Sequence, residues 1–184
     1  MKFLVLFAAA ASAFAAVGGP RVGCLVHPDG SLRQVLGVRG NFIVSSPLAA
    51  DVLSFSCDGD FLFAKTSTTL LAFNRTGAEV ARQDTVPGKA AFVGLSVILE
   101  DDTALVFNEK DQTWRPAAER PAVPPRDGKI LLDEVKAVPI PGDIERIERM
   151  SARWLHVITT EGHFAVDTGR DDPELFALPV GARQ

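Results

Sequence analysis

The 184-residue chain contains no tyrosine, and its two tryptophans, Trp114 and Trp154, stand beside twelve phenylalanines. Phenylalanine fills cores, whereas tyrosine and tryptophan add the polar handle that suits a binding surface. The missing tyrosine argues against an aromatic platform for sugars or peptides, unless one is built on either tryptophan. A basic excess is also missing: 19 Lys and Arg face 23 Asp and Glu, and no run of like charge is longer than Glu100-Asp101-Asp102. Nucleic acids and anionic membranes both require a basic face, so neither is expected as a partner. No apolar segment reaches the roughly 20 residues of a membrane-spanning helix.

Chemical signatures are equally scarce. There is no phosphate loop, dinucleotide fingerprint, nucleophile elbow, paired metal cysteine motif or His-Glu-x-x-His helix. Gly94-Leu95-Ser96 lacks the second glycine of an elbow and lies in an apolar run. No cofactor and no metal are expected on these grounds.

What is present begins with an export signal. Lys2 supplies a positive start, residues 3–11 are apolar, and Ala13-Phe14-Ala15 puts small residues where a signal peptidase reads them. Cleavage after Ala15 is expected, leaving residues 16–184 as one β-repeat domain in the periplasm or outside the cell. Gly18-Gly19-Pro20 ends the apolar stretch too early for an anchor, and Arg21-Val22-Gly23 before Cys24 does not form a lipobox. In an oxidising compartment Cys24 and Cys57 are a candidate disulfide. Two buried free thiols are the alternative, because free cysteine packs well as a small hydrophobe.

The rest of the chain reads as short apolar runs separated by turn signals such as Pro28-Asp29-Gly30-Ser31, Asp58-Gly59-Asp60, Asp101-Asp102 and Glu161-Gly162. Such punctuation predicts an all-β fold of antiparallel meanders. Residues 143–154 also carry apolar side chains at helical spacing, but a strand ending near Met150 preserves a repeat. Segments 52–80, 90–116 and 145–179 can be superimposed as four strands each, and residues 21–46 read as a divergent fourth copy. The strong strands are Phe61-Leu62-Phe63-Ala64-Lys65, Ser96-Val97-Ile98-Leu99-Glu100 and Trp154-Leu155-His156-Val157-Ile158. Four-stranded units at about 40-residue spacing are the mark of propeller blades. Around Asp101-Asp102, Val97 and Leu99 are expected to share a face with Ala104 and Val106, opposite Ile98, Leu105 and Phe107. Both faces are then apolar and both must be covered. A proline-rich stretch, residues 115–128, is read as a stiff connection.

These runs, together with Val35-Leu36-Gly37-Val38-Arg39-Gly40 and Ser151-Ala152-Arg153-Trp154-Leu155-His156-Val157, resemble exported bacterial proteins built of β-propeller-type repeats, largely uncharacterised. The resemblance covers most of residues 30–180. It implies a small or partial propeller, although the Gly-His and Trp-Asp marks of the best-known propeller repeats are absent. A β-sandwich of the same hairpins is the alternative.

Polar-site candidates are few. With Glu161-Gly162 as a two-residue turn, His156 is expected opposite Asp167, and these two form the candidate polar pair. His163 then lies roughly 13 Å along the ladder, too far to share an ion with His156. His156 is read as a rim imidazole. The acidic turn 167–174 contains Arg170 and lacks the spacing of a calcium loop, so it is read as solvated. Two functions follow. The first is a non-catalytic module that contacts a protein or small ligand in the periplasm or envelope. The second is a hydrolase or lyase whose site assembles at a propeller axis.

Overall fold

The computed structural model describes residues 19–57, 59–122, 135, 138–169 and 171–181. The signal segment and its cleavage point after Ala15 lie outside the described residues, as does the latter part of the proline-rich connection. The strands form four antiparallel sheets, each a simple meander. The first holds β1 (Arg21–Val26), β2 (Leu32–Val38) and β3 (Asn41–Val44). In the second are β4 (Ser54–Ser56), β5 (Leu62–Lys65), β6 (Thr69–Phe73) and β7 (Glu79–Asp84). β8 (Ala90–Val93), β9 (Ser96–Leu99), β10 (Ala104–Asn108) and β11 (Thr113–Pro116) make the third. The fourth comprises β12 (Ile144–Arg149), β13 (Trp154–Thr159), β14 (Gly162–Asp167) and β15 (Glu174–Ala177). Each repeat read from the sequence therefore maps onto one sheet, and the divergent first copy has three strands. Residues 144–149 are extended rather than helical, as the repeat requires.

Alternation along the strands assigns each apolar side chain to one of two interfaces, because successive residues point to opposite faces. On β5 and β6, Phe63, Leu70 and Ala72 pack with Val97, Leu99, Leu105, Phe107 and Trp114 of the third sheet. Their neighbours Leu62, Ala64, Leu71 and Phe73 face the first sheet and meet Cys24 and Leu32. The opposite face of the first sheet, with Leu25, Val35 and Phe42, packs on Met150, Trp154, Ala165 and Leu178. The far face of the fourth sheet, with Leu155, Val157 and Val166, is covered by Val135 and Val138. Apolar cores thus link the sheets in the order fourth, first, second, third. Four separate sheets stand where a sandwich would have two.

Two features tie the first sheet to its neighbours. Cys24 and Cys57 form a disulfide with Cα atoms 5.9 Å apart, stapling the first sheet to the entry of the second. Bridging a loop of this size stabilises a chain by roughly 3–4 kcal/mol through the entropy removed from the unfolded state. On the other face, the Cys24 amide donates to the Met150 carbonyl at 3.3 Å. Gly23 permits that approach, since a Cβ there would fall 2.7 Å from the same oxygen.

Two turns differ from their sequence reading. Leu99 bonds Thr103, so residues 100–102 form a three-residue turn with Asp102 at φ 67. An odd loop reverses the parity, and Val97 and Leu99 share their face with Leu105 and Phe107, while Ala104 pairs with Ile98. The second difference concerns the β13–β14 hairpin. Thr159 pairs with Gly162, which places the two-residue turn at Thr160-Glu161. A two-residue shift preserves faces, so Leu155, Val157, Phe164 and Val166 still share one side, with Trp154 and Ala165 on the other.

Candidate functional site

That shift relocates every polar group on the fourth sheet. His156 sits opposite Ala165, and Asp167 sits opposite Trp154. The expected pairing of His156 with Asp167 is therefore corrected: the two residues share a face but belong to separate clusters. His156 is not a rim residue either. It is fully buried, on the face that packs against the first sheet.

The first cluster is a line of three side chains across three strands. Glu148 on β12 lies directly opposite His156 on β13. His163 on β14 is the diagonal neighbour, within reach because the directly opposed Ala165 is small. His156 Nε2 and His163 Nδ1 are 2.9 Å apart, and the two rings are stacked at 5.1 Å and 24°. On the other side of the His156 ring, Nδ1 faces a Glu148 carboxylate oxygen at 3.7 Å, and neither of these two buried atoms has a hydrogen-bond partner. The expected 13 Å between the histidines is thus replaced by direct contact. His27, just after β1, adds its charge to those that act on His163.

Electrostatics follow from this arrangement. Burial raises the Glu148 carboxyl, but His156, Arg146 and His163 outweigh it, and the net shift is downward. Burial lowers the His163 imidazole, reinforced by His156, His27 and Arg146, and Glu145 opposes them. Among the described residues, no group of three His, Cys, Asp or Glu side chains is placed to hold a metal ion.

The second cluster lies further along the same face. Asp167 is fully buried, and Arg153 grips it through Nε at 2.6 Å and Nη2 at 2.5 Å. Arg39, from the turn after β2, reaches the same carboxylate at 3.1 Å and continues to Glu174 at 3.4 Å. The Arg153 bond leads the causes that lower the Asp167 carboxyl to about 2; burial opposes it, and the Gly169 amide and the Arg39 charge assist. Arg39 makes Asp167 a cross-link between the first and fourth sheets.

A third buried ionisable group is Lys65, at the end of β5. Its Nζ donates to the carbonyls of Thr66 and Ser67, both at 2.8 Å. Burial pushes the Lys65 amine down, and the Glu100 charge works the other way.

Sequence reasoning found His156 and Asp167 but missed Glu148 as the partner of one and Arg39 and Arg153 as the partners of the other. No local signal separates the two registers of the hairpin, because both keep the same apolar faces. Only the glycine at the start of β14, with φ 146, marks where the turn ends.

No family model matches the chain, and neither a curated protein nor a solved structure matches it. Among the described residues no helix is long and apolar enough to cross a membrane.

Proposed function

We propose that this chain is an exported, non-catalytic β-repeat protein whose sheets are blades of a small propeller-type array, acting through protein or ligand contacts in the periplasm or envelope. The observation that carries this reading is the use of its buried ionisable groups. Asp167 is closed by two guanidiniums and Lys65 by two carbonyls. Groups satisfied by the frame hold sheets together, whereas a catalytic group must turn a polar atom toward substrate. The apolar cores on both faces of the first and second sheets support blade-like stacking.

One observation favours the second reading, a hydrolase or lyase. A carboxylate, an imidazole and a second, part-exposed imidazole in line are the parts of a relay that could move a proton to His163. The test expresses the full chain in a bacterial host, recovers it from the periplasmic fraction, and assays it on chromogenic ester, phosphoester and glycoside substrates and on polyuronates. Recovery from the periplasm without turnover is expected. Retention in the cytoplasm would overturn export, and turnover abolished by His163→Ala would replace the module with an enzyme.

A further inference from the structure

We propose that the His156–His163 contact is an acid-sensitive latch between β13 and β14 of the fourth sheet, on the face that lies beneath the first sheet, closed at neutral pH and released when both imidazoles carry a proton. A hydrogen bond between two imidazoles needs one N–H and one bare nitrogen. The 2.9 Å contact between His156 Nε2 and His163 Nδ1 therefore exists only while at least one ring is neutral. With both rings protonated, two N–H groups oppose each other and the bond is lost. His156 cannot turn to water in response, because it is fully buried beneath the first sheet.

The surrounding charges decide which ring resists. From β12, a Glu148 carboxylate oxygen faces the far nitrogen of His156 at 3.7 Å. A proton entering His163 is opposed first by burial and then by His156, His27 and Arg146, and is favoured by Glu145. From the first sheet, His27 in turn lies 3.1 Å from Asp29, which also holds Arg33 at 2.7 Å. The Asp167–Arg153–Arg39 cluster on the same face keeps its charges throughout this range, since its carboxyl titrates near 2.

The sign follows from linkage. The unfolded chain takes up a histidine proton near pH 6.5, whereas folded His163 does so at lower pH. Between these values the unfolded state holds more protons. Folding is therefore favoured above the window and weakened as pH falls through it, by up to about tenfold in the unfolding constant per pH unit. Unfolded carboxyls take up protons around pH 4, so the change between about pH 6.5 and 5 is set chiefly by the histidines.

Two measurements test the latch on the full mature chain. In the first, urea unfolding is followed from pH 7.5 to 4.5 for the wild type and for His163→Gln, which keeps a neutral hydrogen-bonding group at every pH. The wild-type unfolding constant should rise severalfold below pH 6.5, and the variant should be markedly flatter. A flat wild-type profile, or an equal slope in the variant, overturns the proposal. The second measurement needs no variant. Amide exchange at Cys24, whose N–H crosses to Met150, should accelerate at pH 5 relative to pH 7 after correction for intrinsic rates. The Leu71 amide, in the core of the second sheet, should not follow it. Equal behaviour of the two amides would show global loosening instead of a latch at this interface.

Discussion

Replacing Asp167 by asparagine removes one charge from the cluster that ties the turn after β2 to the fourth sheet. The side chain keeps its shape and can still accept from Gly169, so the perturbation is electrostatic. Lowering a carboxyl from 3.8 to about 2 corresponds to about 2.5 kcal/mol of stability at pH 7, at roughly 1.36 kcal/mol per pH unit. Breaking a fully buried ion pair costs about 3–5 kcal/mol. The lower figure is the better guide, because the Arg153 and Arg39 side chains remain 48% and 32% exposed and water can solvate them once the carboxylate is gone. The expected cost of Asp167→Asn is therefore about 2–3 kcal/mol by urea denaturation at pH 7. A depressed carboxyl stabilises above its unfolded value and ceases to do so as pH falls through its folded value. The gap between wild type and variant should hold from pH 7 to about 5 and shrink to about half by pH 3. A gap below about 0.5 kcal/mol at pH 7, or one undiminished at pH 3, would refute the assignment of Asp167 as a charged cross-link.

Three further outcomes are expected. Phe63→Ala should cost about 3–5 kcal/mol, because this ring sits at the junction of the second and third sheets with Phe107 at 5.2 Å and Trp114 at 5.0 Å; a loss under about 1.5 kcal/mol in denaturant titration would contradict that placement. Reducing the Cys24–Cys57 bridge should lower stability by roughly 3–4 kcal/mol without loss of β-signal at low temperature in circular dichroism, and non-reducing mass spectrometry should find no alkylatable thiol before reduction. N-terminal sequencing of exported material should begin at Ala16, and a mature chain starting at Met1 would contradict the export signal.

The order of strands was legible because turn residues punctuate this chain so regularly that each apolar run falls on a strand. Which strands belong to one sheet followed from the repeat, and even the ambiguous stretch before Met150 resolved as β12. Turn length was the point of failure. Glu100-Asp101-Asp102-Thr103 has acidic residues at both central positions, and only the left-handed Asp102 makes it a three-residue loop. Thr160-Glu161-Gly162 offers two placements of a two-residue turn that leave every apolar face unchanged, so hydrophobic patterning cannot choose between them. The site depends entirely on that choice. One placement pairs His156 with Asp167; the other puts it beside His163 and leaves Asp167 to the arginines. The partners on other elements, Glu148 from β12 and Arg39 from the first sheet, depend on tertiary packing and carry no mark in the local sequence.

The contact between His156 and His163 is where register, burial and proposed switching meet, and a double-mutant cycle measures it directly. His156→Ala, His163→Ala and the double variant are unfolded in urea at pH 7.5, where the latch is closed. Residues in contact show coupling of about 0.5–3 kcal/mol, whereas separated residues are additive. The structure predicts coupling of about 1 kcal/mol or more, with His156→Ala the costlier single change because its ring is wholly buried. Additive effects would place the two rings apart, return the hairpin to the register in which His156 faces Asp167, and remove both the relay and the latch.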